Sequence, residues 1–133
     1  MATILLFGTN PALLEGLSQT LASAGHRGLF AHTLSEAMDL AAADRPLLAV
    51  VERSVAMSET LRIPLQAGGA VVVYDAVLTT HDPLPAALAR ATLAQLVLPL
   101  ERQRLLALVE RVVERSAATG RANRITPPEQ RAF

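Results

Sequence analysis

Short apolar runs alternate along the chain with stretches in which apolar residues recur every three or four positions. Strands buried on both faces have sequences of consecutive apolar residues, whereas helices packed on a sheet have apolar residues at every third or fourth position. This alternation predicts an α/β domain with a doubly wound, five-stranded parallel sheet covered by helices. The predicted strands are 4–7 (ILLF), 28–32 (GLFAH), 47–51 (LLAVV), 70–74 (AVVVY) and 94–98 (AQLVL).

Capping residues predict where the first two helices begin. Asn10 and Pro11 supply an N-cap and a first-turn proline, and Gly25 stands where the first helix should end. Thr33 and Glu36 have the spacing of a capping box, which opens a second helix.

The second half of the chain predicts shorter or less regular elements. Pro64 interrupts the segment between the third and fourth runs, so a shortened third helix is expected there. Asp82 and Pro83 predict the start of a fourth helix. A stripe formed by Leu105, Leu108, Val109, Val112 and Val113 predicts the last one.

The C-terminal residues differ in composition from the rest. Residues 117–124 (AATGRANR) are small, polar and basic, as in a linker, and Thr126, Pro127 and Glu129 predict the start of another helix. We therefore expect one domain over residues 1–116. Residues 117–133 should form a linker and the beginning of a further, truncated element.

Composition narrows the function classes. The chain has 133 residues, enough for one core, and no cysteine, which excludes disulfides, thiolate zinc sites and cysteine nucleophiles. Twelve basic residues balance twelve acidic ones, so no net field attracts nucleic acid. All twelve basic residues are arginine, which excludes chemistry that needs a lysine ammonium group. No apolar run approaches the ~20 residues of a membrane span, and a cytoplasmic location without membrane contact is expected.

Candidate catalytic and metal-binding residues are sparse. His26, His32 and His81 lack a metal-ligand spacing and are expected to be surface residues. The glycine-containing turns GTN and AGGA lack the pattern of a phosphate-binding loop, and no nucleophile elbow is present. We expect no enzymatic activity, no cofactor and no metal site.

Three passages resemble the receiver domain (CheY-like) of bacterial two-component response regulators. They are 4–26 (ILLFGTNPALLEGLSQTLASAGH), 35–52 (SEAMDLAAADRPLLAVVE) and 97–109 (VLPLERQRLLALV), and the resemblance extends over residues 3–116. It implies the flavodoxin-like strand order 2-1-3-4-5, with a site at the carboxyl ends of the strands.

In phosphorylated members of that family, an acidic pair and an aspartate bind magnesium, and the aspartate takes the phosphoryl group. A hydroxyl and a lysine hold the phosphoryl oxygens, because the transferred group spreads negative charge. Here Gly8 and Thr9 match the acidic pair, Glu52 the phosphoacceptor, Asp75 the hydroxyl residue and Leu98 the lysine. Gln95 matches a switch aromatic that reports phosphorylation in many members of the family, and the proline that follows the lysine in the family is retained as Pro99. The comparison implies a degenerate pocket and a pseudo-receiver.

Three interpretations of Glu52 remain open. It could mimic a phosphorylated aspartate, although Asp75 would repel it and Leu98 cannot hold an oxygen. It could be a solvated carboxylate at the strand end, paired with Arg53 or bonded to Thr9 or the amides of the Gly8 loop. It could also share a proton or a cation with Asp75.

The leading functional hypothesis is a phosphorylation-independent regulatory module in signal transduction or transcription control. It would act on a protein partner or form a homodimer through the fourth helix, fifth strand and last helix, a region that carries Leu84, Leu88, Leu93, Leu100 and Leu105. The alternatives are a small-ligand sensor at the strand carboxyl ends and a conventional receiver with Glu52 as acceptor. Residues 125–133 (ITPPEQRAF) resemble the opening of helix-turn-helix output domains, so DNA binding is expected only if such a domain follows Phe133.

Overall fold

Five parallel strands form one sheet, in the order β2-β1-β3-β4-β5. The computed structural model describes residues 2–75 and 84–130; side chains are described as far as residue 117, apart from that of Ser58. The strands are β1 (Thr3–Phe7), β2 (Arg27–Ala31), β3 (Leu48–Glu52), β4 (Ala70–Asp75) and β5 (Thr92–Val97). The predicted fold class and strand order are confirmed.

Within the described residues, four α-helices accompany the sheet: α1 (Pro11–Ser23), α2 (Leu34–Ala43), α3 (Ala86–Ala91) and α4 (Arg102–Gln130). The first two begin at the predicted caps. The side chain of Asn10 accepts from the Leu13 N–H at 3.2 Å, and the Thr33 hydroxyl accepts from the Glu36 N–H at 3.1 Å. Asp82 and Pro83, predicted to start the helix before β5, lie outside the described residues.

The crossover from β3 to β4 contains two short 3₁₀ segments, Arg53–Val55 and Ser58–Arg62. The predicted shortening of the third helix is confirmed, and Pro64 follows two residues after the end of the second segment. With the crossover this short, the chain leaves Glu52 and enters a 3₁₀ turn at once, which holds Arg53 and Ser54 close to the strand end.

The core has two apolar layers, one on each face of the sheet. On one face, leucines of α1 and α4 such as Leu14 and Leu105 pack on Leu6, Val50 and Val72. On the other face, the small residues of α2 pack on a second set of strand residues: Ala37, Ala41, Leu5, Phe7, Ala49 and Val51. Alternation along each strand divides its side chains between the layers.

The last helix extends beyond the predicted end of the domain. Its backbone is helical from Arg102 to Gln130, through residues 117–124, where the composition predicts a linker, and Thr126 and Pro127 lie within the helix. Three alanines and two arginines in this segment favour a helix, whereas Thr119, Gly120 and Asn123 do not. The domain boundary near Ser116 stays a prediction.

His26 is not a surface residue, contrary to expectation. It is buried, its Nδ1 accepts from the Ala2 N–H at 3.1 Å, and its Nε2 lies 2.8 Å from a carboxylate oxygen of Glu110. Because Nδ1 accepts, Nε2 carries the hydrogen and donates to Glu110. His26 therefore links the start of β1 to α4, at the amino ends of the strands.

No helix within the described ranges combines the length and apolar character needed to cross a bilayer.

Candidate functional site

The strand register gathers the predicted site residues at one edge of the sheet. Glu52 pairs with Tyr74, and Asp75 pairs with Val97. Gly8 follows the last residue of β1, and its N–H donates to the Ala31 carbonyl at 3.1 Å. Parallel strands end together, so all three loops open at this edge.

Glu52 is held by donors from two loops. Its Oε1 accepts from the Thr9 N–H at 2.9 Å and from the Thr9 hydroxyl at 3.0 Å, and the same hydroxyl lies 3.2 Å from Oε2. The Ser54 hydroxyl also donates to Oε2. Thr9, aligned with one of the acidic magnesium ligands of receivers, here serves Glu52 as a hydrogen-bond donor.

These contacts favour the ionised form of Glu52. Partial burial acts to raise the pKa of its carboxyl group, but hydrogen bonds from the Ser54 hydroxyl and from the Thr9 amide and hydroxyl outweigh burial and leave the pKa below its ordinary value. The geometry thus favours the interpretation of Glu52 as a strand-end carboxylate bonded to Thr9.

Gly8 allows a close approach of Tyr74. A Cβ atom built on Gly8 would lie 2.3 Å from the Tyr74 hydroxyl and 3.0 Å from Oε1 of Glu52. The hydroxyl is fully buried and has no hydrogen-bond partner among the described residues. Burial, together with the nearby Glu52 charge, raises the pKa of Tyr74 above its ordinary value, so the phenol stays neutral.

Asp75 faces an arginine. The Nε of Arg53 lies 3.0 Å from Oδ1 and 3.2 Å from Oδ2 of Asp75, and Nη2 donates to Oε1 of Gln95 at 2.6 Å. The Arg53 and Asp75 side chains are only 18% and 15% exposed. The expected repulsion between Asp75 and Glu52 is therefore offset by Arg53, which pairs with Asp75.

Leu98 contributes no polar group to the site. Its side chain is fully buried in the core layer of α1 and α4, while its backbone N–H donates to the Asp75 carbonyl at 2.9 Å. The residue follows β5, which ends at Val97, so the predicted strand ends one residue too late. Pro99 comes next, across a cis peptide bond, and lies at the start of the turn into α4.

The site residues therefore fall into two adjoining groups. One contains Gly8, Thr9, Glu52 and Tyr74, and the other contains the residues around the Arg53 guanidinium, namely Asp75 and Gln95. Sequence reasoning missed Ser54 and Tyr74 and did not pair Arg53 with Asp75. The signal available for Arg53 was its charge directly after a buried apolar strand.

The Gly8 loop has one more polar neighbour. Nδ1 of His32 lies 3.1 Å from the Gly8 carbonyl oxygen, and the His32 N–H donates to Glu36 at 2.7 Å. Since a carbonyl oxygen only accepts, the imidazole donates from Nδ1. Within residues 2–75 and 84–117, no three histidine or acidic side chains lie close enough together to hold a metal ion.

Solved structures of receiver domains resemble this chain. A response regulator receiver domain (CheY-like) from Methanospirillum hungatei JF-1 has a TM-score of 0.68 at 15% identity, covering 90% of this chain and 98% of that one. The pseudo-receiver domain of the CikA protein has a TM-score of 0.62 at 19% identity, covering 85% and 98%. NtrX from Brucella abortus has a TM-score of 0.73 at 16% identity, covering 93% of this chain and 29% of that one.

At the level of sequence, no family model and no curated protein matches the chain. The structural similarity, together with the strand order, establishes the fold: this chain is folded as a response-regulator receiver domain.

Proposed function

We propose that this protein is a phosphorylation-independent pseudo-receiver, a signalling module that acts through protein contacts. The observation that carries the proposal is the Arg53 guanidinium bound to both carboxylate oxygens of Asp75 and to Gln95. These two residues align with the hydroxyl and the aromatic that respond to phosphate in receivers. Here the Arg53 guanidinium binds the Asp75 carboxylate and the Gln95 side-chain oxygen.

The remaining positions support the same proposal. Phosphoryl transfer needs a divalent cation and fixed positive charges around the transferred group. Gly8 and Thr9 bring no carboxylate, and Leu98 is buried in the core where the family has a lysine. Glu52 already accepts hydrogen bonds from Thr9 and Ser54, so its oxygens have local donors without any ion.

The protein contact that we propose is a homodimer through β5 and the flanking helices. Two of the five leucines predicted for this surface are core residues, Leu88 and Leu105, both fully buried. Leu93 and Leu100 are 39% and 73% exposed, the latter the most exposed large apolar residue described. β5 is also an edge strand of the sheet. Exposed apolar side chains beside an open edge favour association.

Sedimentation velocity at micromolar concentration, with and without acetyl phosphate and Mg²⁺, tests the proposal. We expect a dimer in both conditions, because the site has no means of responding to phosphate. Leu100→Arg should shift the protein to monomer. Phe30→Arg, an exposed apolar position on β2 at the opposite edge of the sheet, serves as the matched control and should remain dimeric.

Two results would contradict the proposal. A dimer that forms only with acetyl phosphate would show a working phosphate switch. A wild-type protein that is monomeric both with and without acetyl phosphate and Mg²⁺ would contradict the proposed self-association.

A further inference from the structure

A cleft of about 340 Å³ lies between α1 and the start of α4, outside the group of residues around Glu52. Its apolar lining includes Leu13, Gly16 and Leu17 of α1 and Pro99 of the turn into α4. Small-molecule sites have volumes of about 300 Å³ or more and are mostly apolar, with a few polar groups that fix orientation. This cleft, here called the α1 cleft, meets both conditions.

Gly16 keeps the α1 cleft open. It lies in the middle of α1, where glycine is less favourable than alanine for helix stability. A Cβ atom built at Gly16 meets no heavy atom within 4 Å, so the space beside it is empty of protein. A larger side chain at this position would project into the cleft without displacing other protein atoms.

The polar groups of the α1 cleft favour an anion. Asn10 and Arg102 both line it, and both stand where the chain leaves the carboxyl edge of the sheet, Asn10 before α1 and Arg102 at the start of α4. Oδ1 of Asn10 is used in capping α1, which leaves its NH₂ group to donate. The Arg102 guanidinium has no partner among the described side chains.

The local charge pattern agrees with this preference. The first turn of α1 has no acidic residue and its N-cap is Asn10, so the partial positive charge of its N-terminus is not neutralised there, whereas Glu101 lies directly before α4. The nearest carboxylate in sequence, that of Glu101, accepts from the Val97 N–H at 2.7 Å and from Arg104 at 3.2 Å. At the far end of the cleft, the Thr20 hydroxyl donates to the Gly16 carbonyl. Donors are therefore concentrated at the Arg102 end.

We propose that the α1 cleft binds a small amphiphilic carboxylate, with the carboxylate on Arg102 and Asn10 and the apolar body along Leu13, Gly16 and Leu17. A planar guanidinium suits a carboxylate because it offers two parallel N–H groups. The span from Asn10 to Thr20 is about 15 Å along the helix, which accommodates a medium-length hydrocarbon chain.

The test is an NMR titration of the full chain with octanoate as the probe, and with octanol as a neutral probe of equal chain length. Octanoate should shift the amide signals of residues 10–20 and 100–104 in a saturable way below about 10 mM. Octanol should bind at least about tenfold more weakly, because the charge-assisted hydrogen bonds are missing.

Three variants locate the site. Arg102→Gln should weaken octanoate binding by about tenfold or more, and Gly16→Leu should abolish it by filling the cleft. Gly16→Ala is the matched control: it adds one methyl group, should increase thermal stability, and should keep most of the binding. Circular dichroism verifies that each variant is folded.

Absence of saturable shifts with octanoate would overturn the proposal. So would binding that is unchanged in both Arg102→Gln and Gly16→Leu, or shifts confined to other parts of the chain. Equal binding of octanol and octanoate would overturn the assignment of the carboxylate to Arg102.

Discussion

Arg53 and Asp75 form a two-pronged contact across neighbouring strand ends: one guanidinium nitrogen, Nε, reaches both carboxylate oxygens of Asp75 at 3.0 and 3.2 Å. Asp75 ends β4, and Arg53 begins the 3₁₀ turn after β3. Through Nη2 the same guanidinium reaches Gln95 on β5. A single cation thus joins the carboxyl ends of the third, fourth and fifth strands.

Replacing Arg53 should destabilise the fold. In Arg53→Gln, a mostly buried Asp75 carboxylate loses a charged partner, and we expect the free energy of unfolding to fall by about 1–3 kcal/mol. Arg53→Lys keeps the charge but not the planar guanidinium, so its free energy of unfolding should lie between those of the wild type and Arg53→Gln. Urea denaturation measures the effect. The double variant Arg53→Gln/Asp75→Asn should recover part of the stability lost in Arg53→Gln. If the losses of the two single variants simply added in the double variant, the pairing of Arg53 with Asp75 would be contradicted.

The contact between Gly8 and Tyr74 predicts a suppressor pair. Gly8→Ala places a methyl group 2.3 Å from the Tyr74 hydroxyl, and overpacking of this kind costs about 1–3 kcal/mol. Tyr74→Phe removes an oxygen that has no partner among the described residues, and should change stability by less than about 1 kcal/mol.

In the double variant Gly8→Ala/Tyr74→Phe the clash is relieved, so the two changes should couple by more than about 1 kcal/mol in a double-mutant cycle. Thermal and urea unfolding of the four proteins provide the measurement. A Tyr74→Phe protein that is several kcal/mol less stable would instead show that the hydroxyl is bonded in solution.

Glu52 should make the free energy of unfolding decrease at acidic pH. Because its pKa in the folded protein is lowered from 4.5, its contribution to stability is present above that value and is lost as the pH falls through the lower pKa of the folded state. Wild-type stability should therefore decrease more steeply below about pH 4.5 than that of Glu52→Gln. Urea midpoints between about pH 3 and pH 7 test this. Glu59→Gln, at an exposed carboxylate, is the control and should retain the wild-type slope.

Much of the architecture could be predicted because each strand carries a strong local signal. The apolar runs at residues 47–51 and 70–74 match β3 and β4 to within one residue at each end, and the caps at Asn10 and Thr33 are where α1 and α2 begin. The edge strand β5 is less apolar, and its start was placed two residues too late. The length of α4 was missed because residues 117–124 mix helix-forming alanine and arginine with Thr119, Gly120 and Asn123, a composition that also fits a polar linker.

The candidate site was harder to predict, because its contacts join residues far apart in sequence. The bond between Thr9 and Glu52 was among the alternatives that the sequence allowed, but the pairing of Arg53 with Asp75 depends on the register of β3 and β4. The burial of Tyr74 against Gly8 depends on which face of β4 that side chain occupies. Neither relation follows from the local pattern of apolar and polar residues.

We propose that the site of this receiver fold is closed to magnesium and phosphate by its own side chains. The most direct measurement is a backbone amide NMR titration of the full chain with Mg²⁺ and then with acetyl phosphate. We predict no saturable shifts at Gly8, Thr9, residues 52–54, Asp75 or Leu98. Saturable Mg²⁺-dependent shifts at Thr9 and Glu52, followed by a second set of shifts on adding acetyl phosphate, would contradict this proposal.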